Sequence, residues 1–217
     1  MVRAENQKSP FRTSMYKSLI VVDDFYADPQ GVRQQALGGG FPEASGTRTF
    51  PGRNGAQPFL AQGLDRMASI VVGEAIAGCR RPLSYHGAFR LTLAGEESRY
   101  QVHVDPSFLY WVGVVYLNLP AQCRGGTAFY RHRKLGLDRT PPQDELEAAG
   151  YPDIATLLAR DGPGLDKWEH LMTVPMRFNR LILYRPWMWH SAAPGFGESA
   201  ETGRLIQVLS FEKAAAA

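Results

Sequence analysis

The segment LYWVGVVYLNLPAQCRGGTAFY, residues 109–130, decides the fold class. Its β-branched and aromatic residues form two strand-like runs, 109–119 and 127–130, and Pro- and Gly-containing residues separate them. Many short strands joined by close turns are typical of an antiparallel sandwich or barrel. Further runs of the same kind follow Pro82, each bounded by Gly, Pro or polar residues: 86–93, 100–104, 181–184, 188–191 and 204–211. The sequence therefore predicts a mainly β domain.

One strand and two helices are predicted before this region. Residues 18–22 are apolar and β-branched, which indicates a buried strand. Asp28 followed by Pro29 is typical of a helix start, and the glycines at 38–40 end this helix at about residue 37. Apolar residues at helical spacing predict a second helix over 58–77. We expect it to be the longest helix, to be capped by Gly78 and to cover a sheet.

Length and composition indicate one domain. The chain has 217 residues, of which 44% are hydrophobic, so it can bury one substantial core. We expect a flexible segment over residues 1–15 and a single domain over 16–213. An insertion at about 131–177 interrupts the strands, and short helices are predicted in it at 153–160 and 166–172. This insertion is either a lid over a site or a packing appendage.

The charge balance argues against two classes of partner. The formal net charge is +3, from 24 basic and 21 acidic residues, and this small surplus implies neither nucleic acid nor an anionic membrane as a partner. No apolar run approaches the roughly 18 residues of a membrane span, and the first residues lack the apolar stretch of a secretory signal. We expect a soluble cytoplasmic protein. The sequence leaves the oligomeric state open.

Three residues form a candidate metal site. On a strand, the spacing of His103 and Asp105 places both side chains on one face, about 7 Å apart. His190, in an apolar strand-like context, is the candidate third ligand. Two imidazoles and one carboxylate leave three adjacent positions open on iron(II). The alternatives are a surface pair beside Pro106, and a core histidine that donates a hydrogen bond to a backbone carbonyl.

Arg204 is a candidate anion-binding residue. It lies 14 positions after His190 and opens the apolar strand 205–209. Its planar guanidinium can bind a carboxylate through two parallel hydrogen bonds, and it needs such a partner if it points inward. The alternative is a solvated arginine at the end of a strand.

The ordered set of His103, Asp105, His190 and Arg204 resembles the iron(II)- and 2-oxoglutarate-dependent oxygenases. Other parts of the chain are similar to this superfamily as well. Residues 115–118 (Val-Tyr-Leu-Asn) and 125–129 (Gly-Gly-Thr-Ala-Phe) resemble a strand and turn of the prolyl-hydroxylase-like branch, and residues 21–29 are similar to the N-terminal segment of many bacterial members.

The resemblance implies a double-stranded β-helix, a jelly-roll core of the cupin type with helices outside it and the metal at its open end. It also implies Fe(II) on His103, Asp105 and His190, 2-oxoglutarate as co-substrate with its distal carboxylate on Arg204, and O2 as oxidant. Many members have Ser or Thr where this chain has Ile206. Tyr116, Tyr100 or Arg90 could supply the missing hydrogen bond, and Tyr116 is the candidate carried forward.

The resemblance also narrows the reaction. Halogenating members replace the carboxylate ligand by a small residue, so Asp105 favours hydroxylation, although desaturation or ring closure would use the same ligands. Ser210 stands where nucleic-acid dealkylases carry a second arginine. The leading hypothesis is hydroxylation of an unactivated C–H bond in an amino acid or related small metabolite. The alternatives are a peptidyl hydroxylase of the prolyl-hydroxylase type and a non-catalytic, cupin-like metal-binding barrel.

Overall fold

The computed structural model describes residues 16–42, 51–82, 84–96 and 99–215. The predicted flexible segment 1–15 lies outside the described residues. In chain order, the strands and helices are β1 (Leu19–Val22), α1 (Pro29–Gly38), β2 (Arg53–Asn54), α2 (Leu64–Val72), β3 (Ile76–Gly78), β4 (Phe89–Thr92), β5 (Trp111–Tyr116), β6 (Gly126–His132), α3 (Gln143–Ala148), α4 (Ile154–Asp161), β7 (Trp168–Pro175), β8 (Leu181–Tyr184), β9 (His190–Ala192) and β10 (Arg204–Lys213).

The strands form two antiparallel sheets. The larger sheet has the order β1-β8-β5-β10-β4-β2, and β3 pairs with the far end of β10. The smaller sheet has the order β7-β6-β9. The prediction of a mainly antiparallel β protein with few helices is confirmed. None of the helices in the described ranges is long and apolar enough to cross a membrane.

Alternation along β5 separates two apolar cores. Trp111 and Val115 point to one side of the larger sheet, where they pack with residues of α1 and α2. Val112, Val114 and Tyr116 point to the other side, where they pack with Phe129 and Val174 of the smaller sheet and with other residues. Successive side chains of a strand face opposite ways, so a strand covered on both faces is apolar throughout. Helices α1 and α2 therefore lie on the outer face of the larger sheet, and the smaller sheet covers its inner face.

The first helix follows its prediction, and the second does not. Asp28 caps α1 by accepting a hydrogen bond from the Gly31 backbone N–H at 2.9 Å. The predicted helix over 58–77 was wrong in extent, because α2 begins after Gly63 and ends before Gly73, two glycines with positive φ angles of 77° and 74°. Residues 76–78 pair with β10 instead of continuing the helix. With 9 residues, α2 is also shorter than the 10-residue α1.

Two further predictions of secondary structure were wrong. The predicted strand 100–104 contributes only an isolated bridge at His103. The predicted helix 166–172 coincides largely with strand β7, because β6 offers it an edge to pair with. The ends of the predicted insertion therefore belong to the smaller sheet, and only residues 133–167, which contain α3 and α4, lie between its strands β6 and β7.

Asn118 holds the start of β10 in place. Its fully buried side chain donates to the Gly203 carbonyl at 2.7 Å and accepts from the Leu205 backbone N–H at 2.8 Å. We expect Asn118→Ala to lower the free energy of unfolding by about 2–3 kcal/mol, because both backbone groups lose their partner in the interior. Urea denaturation measures this change. Gln143→Ala on exposed α3 is the control, with an expected effect within about 0.5 kcal/mol; an equal effect of both variants would contradict the assigned role.

Candidate metal centre

The backbone places His103 and His190 directly opposite each other. His190 is the first residue of β9, and His103 lies in an otherwise irregular segment. The two residues exchange both backbone hydrogen bonds, at 2.9 and 3.0 Å. Residues paired in this way carry their side chains on the same face. The two imidazole rings accordingly lie 4.4 Å apart, centre to centre.

Asp105 completes the cluster from a short loop. Its backbone N–H donates to the Pro186 carbonyl at 2.9 Å, which ties this loop to the segment that leads into His190. Its Oδ2 lies 3.3 Å from Nε2 of His190. One potential ligand atom from each of His103, Asp105 and His190 lies within 4.8 Å of the others. The structure thus brings the three predicted ligands together, although the second histidine lies 87 positions after the first.

The hydrogen bonds of His190 define what its second ring nitrogen can do. Nδ1 lies 2.8 Å from the Met188 carbonyl, which can only accept, so Nδ1 is the donor. In the neutral imidazole, Nε2 then carries a lone pair that faces an oxygen of Asp105. A metal ion bound between these two groups would use both the lone pair and the oxygen as ligands. The carbonyl bond considered from the sequence therefore exists, and it prepares Nε2 for metal binding.

Burial shifts the ionisation of the other two candidate ligands. Burial lowers the pKa of His103 well below its ordinary value, and the charges of His190 and Arg90 act in the same direction. His103 is consequently a neutral imidazole, the form that binds metal. Burial raises the pKa of the Asp105 carboxyl, while His190, a hydrogen bond from Tyr184 and Arg90 oppose this change. A bound cation would favour the carboxylate further.

Arg204 lies inside the protein, and no acidic residue in the described part of the chain compensates its charge. It is the first residue of β10, it stands opposite Thr92 of β4, and only 2% of it is exposed. Its Nε has no hydrogen-bond partner among the described residues, and no carboxylate there lies within ion-pair distance of it. Burial lowers its pKa, but an arginine stays protonated at neutral pH. The side chain is therefore not a solvated strand end, and it is suited to bind an anionic ligand.

Tyr116 lies next to this anion site without lining the cavity. Its hydroxyl group and that of Thr127 share a hydrogen bond of 2.7 Å, and its backbone pairs with Ile206. Thr127, Tyr100 and Arg90 do line the cavity. A contact between Tyr116 and a co-substrate remains a prediction.

A cavity of about 760 Å³ surrounds these groups. Both sheets contribute walls, and the segment between β6 and β7 adds Pro163 and Leu165. His170, expected on a helix, lies instead on β7 and lines the cavity together with Thr173. The larger sheet contributes side chains that alternate along its strands: Arg90, Thr92, Val112, Val114, Tyr184, Arg204, Ile206, Val208 and Ser210.

Tyr184 was not among the site residues predicted from the sequence. It ends the apolar strand β8, and its hydroxyl group lies 3.2 Å from Nε2 of His190. The only local signal was a polar group at the end of an apolar strand, six residues before a candidate ligand.

A family model and solved structures of known proteins are similar to this chain. A family model described as a family of unknown function (DUF6445) matches residues 7–207. No curated protein matches the sequence. The crystal structure of the non-heme alpha ketoglutarate dependent carbocyclase SnoK from nogalamycin biosynthesis superposes with a TM-score of 0.53 at 11% identity, over 91% of this chain and 80% of SnoK. At such low identity, this likeness shows a shared fold.

Two other solved structures are more distant in shape. A prolyl-4-hydroxylase from Pseudomonas putida has a TM-score of 0.45 at 14% identity, with 91% of this chain and 94% of that chain covered. EctD from S. alaskensis, with 2-oxoglutarate and 5-hydroxyectoine, has a TM-score of 0.45 at 14% identity, with 90% and 72% covered.

Proposed function

This chain belongs to the family of unknown function DUF6445, and we propose that it is an iron(II)- and 2-oxoglutarate-dependent dioxygenase with a double-stranded β-helix core. One observation carries the proposal. The candidate ligands His103, Asp105 and His190 converge in the same cavity as the buried guanidinium of Arg204. A site that binds only a metal ion does not require a buried arginine, and a site that binds only an anion does not require three converging metal ligands. A metal ion and an anionic co-substrate together account for both features.

The groups present fit the metal and the co-substrate. Two imidazoles and one carboxylate suit iron(II) and leave adjacent coordination positions for further ligands. The buried Arg204 guanidinium suits the distal carboxylate of a dicarboxylic acid such as 2-oxoglutarate. When bound, iron(II) and 2-oxoglutarate supply O2 activation, in which 2-oxoglutarate is converted to succinate and CO2 while a C–H bond of the substrate is hydroxylated.

The chain's own contribution is placement and exclusion of water. Arg204 and Thr92 form one row across the larger sheet, Ile206 stands beside Arg90 in the next row along β10, and Val208 stands beside Val114 in the row after that. The first row binds the distal carboxylate of 2-oxoglutarate, and the apolar side chains of Ile206, Val208 and Val114 keep the adjoining wall dry. A water-poor site strengthens the ionic contact and holds the reactants in a fixed orientation.

We propose an amino acid or related small metabolite as the substrate. Arg90 lies on the cavity face of β4, and its charge acts on both His103 and Asp105. Its Nε donates to Asn54 at 2.9 Å, and its guanidinium lies 5.2 Å from the ring centre of Tyr85, so its position is defined. A second guanidinium group near the metal supports a substrate that carries a carboxylate.

The near-balanced net charge supports a small-molecule partner rather than nucleic acid. The wall formed by Pro163 and Leu165 supports an enclosed chamber, in which the segment between β6 and β7 acts as part of a lid. An intact Asp105 supports hydroxylation rather than halogenation.

A succinate-release assay tests this function. The purified protein is incubated with iron(II), 2-oxoglutarate and a panel of free L-amino acids, each beside its primary amide, in which only the carboxylate is blocked. We expect at least one free amino acid to raise succinate release above the uncoupled background, with its amide less effective because the carboxylate is blocked. The His190→Ala protein is the blank.

Other outcomes of the same assay separate the alternatives. If short peptides stimulate succinate release and no free amino acid does, the small-metabolite version fails in favour of peptide hydroxylation. If the protein binds a divalent metal but consumes neither O2 nor 2-oxoglutarate, it is a non-catalytic metal-binding barrel.

A further inference from the structure

Helix α4 ends against the segment that contains His103. Its last residue is Asp161, and the carbonyl of the next residue, Gly162, accepts hydrogen bonds from two backbone N–H groups just before His103. We propose that Asp161 is a positioning residue of the metal centre, which holds this carbonyl and, through it, the backbone that bears His103. The inference rests on the proposed function, and it gives residues 133–167 a role in metal binding in addition to forming a cavity wall.

The contact between the two segments is made by backbone groups. The Gly162 carbonyl oxygen lies 2.8 Å from the backbone nitrogen of Gln101 and 3.2 Å from that of Val102. The next N–H group along the chain, that of His103, donates to the His190 carbonyl at 2.9 Å. His103 lies outside the named strands, so these few hydrogen bonds define where its backbone lies.

Close packing accompanies these hydrogen bonds. Val102 is fully buried, and it shares an apolar cluster with Leu157 of α4. A Cβ atom at Gly162 would lie 3.0 Å from the Val102 carbonyl oxygen and 2.5 Å from that of Leu158. The end of α4 and the segment before His103 are therefore in direct contact, with no room between them for a side chain at position 162.

Asp161 is fixed through its side chain and its backbone, and only 3% of it is exposed. The carboxylate accepts hydrogen bonds from His132 Nε2 at 2.9 Å, from the Tyr151 hydroxyl group and from Arg160 Nε at 3.2 Å. The backbone carbonyl accepts from the Trp168 indole N–H at 2.8 Å. Because His132 is on β6 and Trp168 is on β7, these hydrogen bonds tie the end of α4 to the smaller sheet.

The groups around the Asp161 side chain require an acceptor. Nδ1 of His132 accepts a hydrogen bond from the Leu135 backbone N–H at 3.2 Å, so the ring proton is on Nε2 and is donated to Asp161. The phenol and guanidinium groups beside it are donors as well. A carboxylate can accept from all three, whereas Asp161→Asn replaces one acceptor oxygen by an NH2 donor without changing the size of the side chain.

Asp161→Asn tests the positioning role. With the end of α4 less firmly held, the shared acceptor of Gln101 and Val102 moves, and hydrogen exchange at these two amides is expected to become faster in the metal-free protein. Mn²⁺ is then titrated into the metal-free protein by calorimetry. We expect the dissociation constant to rise about tenfold, as for other groups that orient a metal ligand. The visible spectrum of the Co²⁺-loaded protein is expected to change because His103 shifts.

Gly162→Ala is a second test, and it keeps the Asp161 side chain. The added methyl group would meet the carbonyl oxygens of Leu158 and Val102, so the end of α4 and the segment before His103 must move apart. We expect the same rise in the Mn²⁺ dissociation constant and the same faster exchange. If Asp161→Asn does not fold, Gly162→Ala decides the question in the same titration.

Asp153→Ala is the matched control. Asp153 caps the start of the same helix by accepting a hydrogen bond from the Thr156 backbone N–H at 2.6 Å. Loss of a cap weakens a helix, and here it leaves the contact of Gly162 unchanged. We expect a lower unfolding temperature with wild-type Mn²⁺ affinity. An equal loss of affinity in Asp153→Ala and Asp161→Asn would show that α4 acts only through its stability, and it would overturn the positioning role.

The outcomes distinguish this inference from the proposed function. A folded Asp161→Asn protein with wild-type Mn²⁺ affinity overturns the positioning role, whatever its exchange rates, and leaves the metal site intact. A wild-type protein whose Gln101 and Val102 amides exchange as fast as exposed amides also overturns it, because the contact with Gly162 would not persist in solution. A wild-type protein that binds no divalent metal overturns the proposed function and, with it, the role of Asp161 in metal binding.

Discussion

His190→Ala is expected to abolish iron binding and to lower 2-oxoglutarate-dependent turnover by roughly three orders of magnitude or more. The side chain supplies one of the three candidate ligand atoms, and the Met188 carbonyl holds its ring in the orientation that aims Nε2 at Asp105. Two remaining ligands would leave too few bonds to retain the ion. Iron content after gel filtration and O2 uptake with 2-oxoglutarate measure the two losses.

His170→Ala is the control for this result. His170 lines the same cavity, and its Nε2 bonds the Thr173 hydroxyl group at 2.8 Å, away from the three candidate ligands. It is expected to keep full iron content. A His190→Ala protein that still holds iron in a one-to-one ratio would show that the metal is bound elsewhere and would remove the basis of the proposed chemistry.

The candidate ligands could be predicted because histidine and aspartate side chains bind metal ions whatever the secondary structure of the residues that bear them. The spacing of His103 and Asp105 predicted their approach for a partly wrong reason. A strand through both residues was expected, whereas the structure has a single bridge at His103 and ties Asp105 to Pro186. The two side chains still meet because His190 and its preceding loop supply both backbone anchors, which are contacts between distant parts of the chain.

The wrong helices show where local patterns fail. The apolar periodicity over 58–77 passes through Gly63 and Gly73, and an isolated glycine costs a helix only about 1 kcal/mol, so its presence alone does not mark an end. Residues 166–172 carry no strong strand preference, and the pairing of β7 with β6 decides their conformation. By contrast, the predicted runs at 181–184 and 204–211 carry apolar residues on both faces, and they became central strands.

The approach of Tyr184 to the candidate ligands could not be predicted in the same way. Many apolar strands end in a tyrosine, so the sequence does not mark Tyr184 as a site residue. Only the short distance between its hydroxyl group and His190 does so. That distance depends on the packing of the two sheets through Phe129.

Arg204→Ala is expected to raise the 2-oxoglutarate concentration needed for half-maximal turnover about 100-fold, equivalent to about 3 kcal/mol of lost binding. A bidentate contact between a guanidinium and a carboxylate in a dry cavity has this magnitude, and lysine replaces only part of it because it lacks the planar fork. The 2-oxoglutarate concentration needed by Arg204→Lys is therefore expected to lie between those of the wild type and Arg204→Ala. Arg180→Ala is the control, since Arg180 pairs with Asp23 outside the cavity.

The stability of the same variants provides an independent test of the anchoring role. A buried cation without an acidic partner destabilises a fold, so Arg204→Met is expected to leave the free energy of unfolding unchanged or to raise it in the absence of 2-oxoglutarate. In wild type, saturating 2-oxoglutarate with Mn²⁺ is expected to raise the unfolding temperature, and in Arg204→Met this increase is expected to be largely lost. An arginine kept for the fold would give the opposite result: Arg204→Met would unfold more easily, and 2-oxoglutarate would stabilise both proteins equally.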